Sequence, residues 1–409
     1  MASGPCPGAR AVLRVLGSLQ VRAYLDHNAT TPVAAEVADA MHEAVRGCFG
    51  NASSIHAFGQ AAKAALDDAR SAVAALLGAR PNDVIFTGSG TEADNLAVRG
   101  VAEASTAAGR RHLIASAIEH EAVLNTLKAL SKRGWTSTLL PVGAAGVVEP
   151  AALEAALTDD TALVSVMHAN NEIGTLQPIA ELAGIAHRRG AVFHTDAVQT
   201  AGKLPLDVGA LGVDLLSISA HKFNGPKGVG ALWIRRGMRL VAPTTGGRQE
   251  RNRRAGTENV PAIVGLGVAA RLAAAKLSRE AARLRTLRDR LESSLLDRVP
   301  DTAVNGGGER VPNTTNISFH GVEAEALLIA LDLEGIAVST GSACSSGTLE
   351  PSHVLRAMGL TPRRAQSSIR FSLGLGNTDD EIDRLVGVLP PLVARLRALS
   401  RAGAAHAPA

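Results

Sequence analysis

The regular alternation of short apolar runs with helical segments restricts the fold of this 409-residue chain more than any other feature. Residues 162–168 form an almost continuous apolar run, which is typical of a strand covered on both faces. Runs at 112–116, 190–196 and 213–219 have the same character, and helical patterns separate them. We therefore predict an α/β fold with a mostly parallel sheet flanked by helices. Ligands of such sheets bind at the carboxyl ends of the strands.

The pattern changes after about residue 261, where leucines recur at helical spacing and predict a long surface helix at 280–298. Short strands predicted at 312–320, 336–339 and 369–373 alternate with helices at 323–333 and 378–399. We therefore predict a large domain over 24–262 and a smaller C-terminal α/β domain over 263–399. Residues 1–23 are expected to be a disordered extension or a misassigned start, and residues 400–409 a flexible tail.

Composition excludes several classes of protein. The net charge of +4 arises from 42 basic and 38 acidic residues without a basic block, and aromatic residues make up only 2% of the chain, so nucleic acid is not expected as a partner. No uninterrupted apolar run approaches the ~18 residues that span a bilayer, so a soluble protein is expected. Three cysteines without paired spacing suggest neither disulfides nor a zinc site, and favour the cytoplasm.

Lys222 stands where a predicted buried strand ends and a glycine and proline turn begins. A lysine held in the crevice at a strand end can lose its proton and attack carbonyl groups. The alternative is an ordinary surface lysine in a loop. Its neighbours Ser219, Ala220 and His221 belong to the same strand end.

Other polar residues follow the ends of neighbouring predicted strands. Gly90 and Thr91 begin a helix after a short strand, an arrangement that suits a phosphate group. His120 follows another strand, and Asp196, with Gln199 three residues later, ends a third. An acid at a buried strand end requires a cation, which a ligand can provide. Each motif alone also describes an ordinary turn.

Together these residues require a ligand with a phosphate, a carbonyl and a protonatable ring nitrogen, and pyridoxal 5′-phosphate has all three. Lys222 would bind its carbonyl carbon, and Asp196 would keep the ring nitrogen protonated. Cys344 lies among glycines and serines rather than in apolar surroundings, which favours a reactive thiol. By contrast, we interpret Cys6 and Cys48 as incidental.

Nearly the whole chain, from about residue 24 to residue 399, resembles the cysteine desulfurases, which are pyridoxal-phosphate enzymes of fold type I in the class V aminotransferase group. The motifs that carry the resemblance are SAHK at 219–222, HTDAVQ at 194–199, HANNEIG at 168–174, RAGTEN at 254–259 and GSACSS at 341–346. Residues 248–259 and 349–356 are most similar to the nitrogen-fixation (NifS-type) branch, with the housekeeping iron–sulfur branch next.

The resemblance implies a role for each matching residue. Lys222 corresponds to the Schiff-base lysine, His120 to the histidine that stacks on the cofactor ring and transfers protons, and Cys344 to the nucleophile. The residues implied to bind the cofactor are Gly90, Thr91, His120, Asn171, Asp196, Gln199, Ser219, Ala220, His221, Lys222 and Thr257, the last from the other subunit of a homodimer. Asn171 and Arg370 correspond to the pair that holds the substrate carboxylate.

The implied reaction converts L-cysteine to L-alanine and leaves the sulfur on Cys344 as a persulfide for an iron–sulfur scaffold or another acceptor protein. No intrinsic metal site is expected, although Cys344 would serve as a transient iron–sulfur ligand with a scaffold. Neither the extension before residue 24 nor the tail after residue 399 matches a functional segment of the family. Two alternatives stay open: a selenocysteine lyase or other class V enzyme, and a non-catalytic sulfur carrier that uses Cys344 alone.

Overall fold

A computed structural model describes residues 23–341 and 351–405 of the chain, with side chains up to residue 401. Its strands are β1 (Ala23–Tyr24), β2 (Val84–Thr87), β3 (His112–Ser116), β4 (Thr136–Leu140), β5 (Thr161–Ser165), β6 (Val192–Asp196), β7 (Leu215–Ser219), β8 (Gly230–Ile234), β9 (Thr302–Val304), β10 (Thr314–Phe319), β11 (Ile336–Ala337) and β12 (Ser368–Ser372). The helices are α1 (Ala35–Gly47), α2 (Ala57–Leu76), α3 (Gly90–Ser105), α4 (Glu121–Ser131), α5 (Pro150–Ala156), α6 (Ile179–Arg188), α7 (Val208–Leu211), α8 (Gln249–Asn252), α9 (Val260–Arg298), α10 (Ala324–Leu333), α11 (His353–Ala357), α12 (Pro362–Ala365) and α13 (Asp379–Ala405).

Seven strands form the main sheet in the order β2-β8-β7-β6-β5-β3-β4. The neighbours from β7 to β4 are all parallel, whereas β8 is antiparallel to both β7 and β2. The predicted, mostly parallel sheet flanked by helices is therefore confirmed. Because β2 runs in the same direction as β7, the carboxyl ends of β2, β3, β5, β6 and β7 all open onto one edge.

Both faces of this sheet are buried, which explains the almost uninterrupted apolar runs in the sequence. Neighbouring residues of β3, Leu113 and Ile114, belong to different apolar clusters because successive side chains of a strand point to opposite faces. Helix α3 covers one face with residues such as Ala93 and Leu96. Phe193 of β6 belongs to the opposite cluster, so His194 and Asp196 point to the face that α3 covers.

Helix α9 is continuous from Val260, twenty residues before the start predicted from the leucine pattern. Pro261 stands in its first turn and the side chain of Asn259 caps it, so the start is well defined locally. The amino-terminal part packs against α1 and α2 in the main core, and the part with Leu284 and Leu291 enters a second core. By length and composition α9 is capable of spanning a membrane, but these contacts make it a core helix.

The second core surrounds a three-stranded antiparallel sheet, β12-β10-β9, and the parallel pair β1-β11. These strands confirm the extended segments predicted near residues 312–320, 336–339 and 369–373. Ala23 and Leu25 also pack in this core, and α13 runs to Ala405, beyond the predicted end at residue 399. The division into domains at residue 262 stays a prediction. A bridge between Asp26 and Ser372 holds the loop after β1 against the small sheet.

Candidate active site

The polar residues predicted from strand ends lie at one edge of the main sheet. Asp196 ends β6 and Ser219 ends β7, and the two strands are paired in parallel register. Gly90 begins α3 directly after β2, and His120 caps α4 after β3. The sequence prediction that these elements deliver their residues to a common edge is confirmed, whereas the roles of the individual residues stay predictions.

Lys222 lies in a 3₁₀ turn, Ala220–Lys222, immediately after β7. Its Nζ atom donates hydrogen bonds to the backbone oxygens of Asn28 and Ala29, at 2.6 and 2.8 Å. Burial, together with the positive charge of Arg370, lowers the pKa of Lys222 to about 8. A lysine with this pKa is partly uncharged at physiological pH, which is the state in which it acts as a nucleophile or base.

Asp196 is buried at the end of β6 and accepts a hydrogen bond of 2.8 Å from the amide of Val198. Burial raises the pKa of Asp196, and the charges of His120 and Lys222 lower it. Beside it lie two further buried acids, Asp94 and Glu119. Burial raises the pKa of Glu119 to about 8 and that of Asp94 well above its ordinary value. On balance the pKa of Asp196 is also raised, and it is the acid of this group whose pKa the charges of His120 and Lys222 lower.

The group of acids continues into a polar network behind Asp196. Both ring nitrogens of His194 lie 2.9 Å from serine hydroxyls, those of Ser165 and Ser217. The Nε2 atom of His194 also lies 3.6 Å from Oδ1 of Asp94. Burial lowers the pKa of His194 to about 3, so the ring is neutral. Asp94, in α3, and Glu119, in the loop before α4, were not predicted from the sequence, because no local pattern distinguishes a buried acid from an exposed one.

A cradle suited to an anion lies where α3 meets the end of β7. Gly90 is buried so closely against its neighbours that a Cβ atom there would lie 3.0 Å from Cγ2 of Val198 and 3.1 Å from Cβ of Ser219. The first amides of α3, including that of Thr91, have no carbonyl acceptor within the helix. The Oγ atom of Ser219 is buried without a hydrogen-bond partner among the described residues. Such an orphaned hydroxyl is costly unless a ligand binds it.

The other residues predicted to form the cradle differ in burial. His221 is half-buried with its Nδ1 atom 3.2 Å from Oγ1 of Thr30, and burial lowers its pKa to about 4. Ala220 is fully buried and its carbonyl accepts the amide of Gly225 at 3.0 Å, which closes the turn after Lys222. Thr257 is exposed just before α9, and its assignment to a second subunit's site stays a prediction.

Gln199 and Lys222 both bind the loop after β1. Gln199 donates from Nε2 to the backbone oxygen of Asn28 at 3.1 Å, the same oxygen that Lys222 contacts. The Oε1 atom of Gln199 accepts a hydrogen bond of 2.9 Å from the buried Lys203. Asn28 and Lys203 were not predicted from the sequence. Only the polar loop chemistry of residues 26–31 and the position of Lys203 four residues after Gln199 hinted at them.

Arg370, in β12, also contacts the loop after β1. It is buried and donates to the backbone oxygen of Asn171 at 3.0 Å and to Asp26 at 2.6 Å. Its Nε atom has no partner among the described residues. Arg370 and Asn171, which the sequence analysis paired as carboxylate ligands, therefore lie together, and the Arg370 guanidinium keeps a donor available.

Cys344 itself lies outside the described residues, but the described chain before and after it contacts residues of the site. Ser339 exchanges two backbone hydrogen bonds with Arg370, of 2.7 and 3.3 Å. Gly341 packs on Glu172, since a Cβ atom there would lie 3.0 Å from Cγ of that residue. On the far side, Ser352 donates a hydrogen bond of 2.5 Å to Glu172. Both ends of the segment that carries Cys344 therefore meet beside Asn171 and Arg370.

Comparison with known proteins agrees with this geometry. The sequence profile of the class-V aminotransferases matches residues 23–385. The chain belongs to this family, whose members depend on pyridoxal 5′-phosphate.

Cysteine desulfurase IscS of Dictyoglomus turgidum is 50% identical over 378 residues, covering 92% of this chain and 96% of that protein. A cysteine desulfurase of Trichormus azollae is equally similar over 94% of its length. A solved structure described as a NifS-like protein superposes with a TM-score of 0.86 at 39% identity, over 92% of this chain and all of that one. Within the class-V family, the chain is a member of the cysteine desulfurases.

The residues present fit the cofactor of this family. The orphaned Ser219 hydroxyl and the first turn of α3 suit its phosphate, and the buried Asp196 suits a protonated ring nitrogen. Lys222, with its lowered pKa, suits the carbonyl carbon. The Nε2 group of Gln199 has two hydrogens. One bonds to the backbone oxygen of Asn28, in the loop after β1, and the other is available to an oxygen of the cofactor.

Proposed function

We propose that this protein is a cysteine desulfurase that removes sulfur from L-cysteine, releases L-alanine and keeps the sulfur on Cys344 as a persulfide. One observation carries the proposal: Lys222 and Arg370 converge on the same short loop. Lys222 bonds to Asn28 and Ala29, and Arg370 bonds to Asp26. A basic amine and a guanidinium held by one loop provide a proton acceptor and a carboxylate clamp for one amino acid.

Lys222 carries the proton chemistry. Pyridoxal phosphate, when bound, supplies an electron sink for negative charge at the substrate's Cα. With a pKa of about 8, the Nζ atom of Lys222 removes the Cα proton near neutral pH and returns it to the product. His120, which is exposed and lowers the pKa of Asp196 through its charge, is the second group that we propose to carry a proton.

Arg370 orients the substrate. Its guanidinium is fixed by Asp26 and by the backbone oxygen of Asn171, so little conformational entropy is lost when it binds a carboxylate. The carboxylate of L-cysteine would bind beside Asn171, with its amino group and Cα toward Lys222.

Cys344 receives the sulfur. Its thiolate attacks the sulfur of the substrate, the substrate's carbon–sulfur bond breaks, and the carbon keeps the electron pair and gains a proton. The balance is one L-cysteine and one thiol giving one L-alanine and one persulfide. The segment with Cys344 leaves the described structure at Gly341, directly beside Glu172 and close to the carboxylate clamp, which supports this role.

The persulfide is passed on to a sulfur-acceptor protein, and we propose an iron–sulfur scaffold as that acceptor. Nitrogenase maturation is the pathway that the NifS-like motifs favour.

We further propose a homodimer in which Thr257 completes the phosphate cradle of the partner, because this exposed residue follows Gly256 in a glycine turn suited to an anion. The cytoplasm is the proposed location, consistent with three cysteines in no paired spacing.

Replacing Cys344 tests the proposal directly. Cys344→Ser is expected to keep the visible absorption of the bound cofactor yet to release no sulfide from L-cysteine in the presence of a thiol reductant. Cys48→Ser, which changes the half-buried free cysteine after α1, is the matched control and should release sulfide at the wild-type rate. Full sulfide release by Cys344→Ser overturns the proposal. Persulfide on a colourless Lys222→Ala protein would instead support a sulfur carrier.

A further inference from the structure

We propose that Lys203 and Asn28 are positioning residues of the active site: Lys203 fixes the amide of Gln199, and Asn28 ties that amide to Lys222 and to the carboxylate clamp. The inference rests on the proposed function, because it concerns how the chain presents Gln199 and Lys222 to the cofactor. None of the motifs that identify the family contains Lys203 or Asn28.

Asn28 is the point where the elements of the site are joined. Its side-chain Oδ1 accepts hydrogen bonds from Lys203 and Asn313, each at 3.1 Å. Its Nδ2 donates to the backbone oxygen of Asn171 at 3.0 Å and to Oγ1 of Thr314 at 2.8 Å. Both amide hydrogens and two acceptor positions are thus used, and the residue is only 1% exposed.

The backbone of Asn28 adds two further contacts. Its amide donates to Ser372 Oγ at 3.0 Å, which ties it to β12, the strand of Arg370. Its carbonyl oxygen accepts both Lys222 Nζ, at 2.6 Å, and Gln199 Nε2, at 3.1 Å. A displacement of Asn28 therefore moves the lysine, the glutamine and the clamp together.

The contacts define which way the amide of Gln199 faces. A backbone carbonyl only accepts hydrogen bonds, so the Gln199 atom that faces Asn28 must be the NH₂ group. The Oε1 atom then faces Lys203, which donates to it at 2.9 Å. With one hydrogen used, the second hydrogen of Nε2 stays available, so Gln199 presents a donor, not an acceptor, to an oxygen of the cofactor.

Lys203 acts here as a hydrogen-bond donor more than as a charge. It is 8% exposed, and its hydrogen bonds within the described residues go to the two side-chain oxygens of Asn28 and Gln199. Burial and the nearby charges of Lys222 and Arg370 lower its pKa well below the ordinary value. The amine retains N–H donors whether or not it is protonated, so its two hydrogen bonds hold Gln199 in either state.

Lys203→Met tests the inference, because methionine preserves the length and volume of the side chain and removes its donors. Lys276→Met is the matched control: Lys276 lines the same cleft as Lys203 but makes no hydrogen bond to any site residue that the structure describes. We expect Lys203→Met to bind pyridoxal 5′-phosphate about tenfold more weakly, the effect of about one hydrogen bond, and to shift the visible absorption maximum of the bound cofactor. Lys276→Met should change neither property.

A double-mutant cycle separates positioning from a general loss of stability. If Lys203 acts through Gln199, Lys203→Met should add no further shift of the absorption maximum to that of Gln199→Ala. Additive shifts, or a wild-type spectrum and affinity for Lys203→Met, overturn the inference while leaving the proposed function intact. A wild-type protein that binds no cofactor overturns the proposed function instead. Should Lys203→Met not fold, Lys203→Gln, which stays polar but is too short to reach both oxygens, makes the same test.

Discussion

Ser352 donates a hydrogen bond of 2.5 Å from its hydroxyl to Oε2 of Glu172, a residue that is 180 positions earlier in the chain. Glu172 also supports Gly341, so one buried carboxyl group contacts the chain on both sides of the segment that carries Cys344. Burial raises the pKa of Glu172, and the hydrogen bond from Ser352 opposes that increase. The glutamate of the HANNEIG motif therefore has a structural task that its place beside Asn171 alone does not indicate.

We expect Glu172→Ala to lower the rate of sulfide release about tenfold while the bound cofactor keeps its visible spectrum, because the variant loses the buried hydrogen bond to Ser352 at the base of the Cys344 segment. Ser352→Ala should have the same effect, because it removes the donor of the same hydrogen bond. Ser367→Ala is the control and should keep the wild-type rate, because the hydroxyl of this buried serine bonds, among the described residues, to the backbone oxygen of Arg364. Wild-type rates in Glu172→Ala would refute the assignment.

Ser219→Ala is expected to affect the free and the loaded protein in opposite directions. Without cofactor, removing a buried hydroxyl that has no hydrogen-bond partner in the described part of the chain should leave the melting temperature unchanged or raise it. With cofactor, the loss of a hydrogen bond to a charged phosphate should weaken binding by roughly 10- to 100-fold. Ser217→Ala, which removes a partner of His194, should instead lower the melting temperature. Equal cofactor affinity in wild type and Ser219→Ala would exclude Ser219 from the cradle.

The rate at which the cofactor-free protein captures pyridoxal phosphate should rise with pH, with a midpoint near 8. Since the pKa of Lys222 is lowered to about 8, the uncharged fraction of its amine grows from about one tenth at pH 7 to about nine tenths at pH 9. Arg370→Met should raise the midpoint, because the positive charge of Arg370 contributes to the shift. Stopped-flow absorbance measures this rate. A midpoint above pH 10 in the wild-type protein would contradict the structure.

The buried amine of Lys203 should also make stability depend on pH. Its pKa is lowered in the folded protein, so between that value and 10.5 the unfolded chain binds more protons than the folded one. The free energy of unfolding then rises with pH throughout that window. Urea titrations of the cofactor-free proteins measure the free energy of unfolding. The value for the wild type minus the value for Lys203→Met should increase as pH approaches 10.5. A difference independent of pH would show that Lys203 has an ordinary pKa.

The residues at the edge of the sheet were predictable from the sequence, whereas the contacts of the loop after β1, which connects these residues, were not. Asp196 and Ser219 end buried strands and Lys222 follows one, and parallel strands have their carboxyl ends at the same edge of a sheet. Asn28 and Lys203 are separated by 175 positions, and their contact arises only when the loop after β1 is held by β12. A pattern within one segment carries no information on such a contact.

The buried acids and the start of α9 illustrate the same limit. Asp94 resembles any polar residue in the first turns of a helix until α3 packs on the face to which His194 and Asp196 point. The leucine pattern marked only the second half of α9, because its first half is lined by alanine and glycine, whose small side chains permit close packing against α2. Such residues give a weak periodic signal even when they are buried.

The most direct test of the central claim is to incubate the cofactor-loaded protein with L-cysteine, without reductant, and to measure L-alanine and the intact protein mass together. We predict one L-alanine released for each sulfur atom added to the chain, with the added sulfur on Cys344. Persulfide formed without L-alanine, or in equal amount by Lys222→Ala, would contradict the account, because it would show that the chain collects sulfur without performing the cleavage that Lys222 and Arg370 are arranged to carry out.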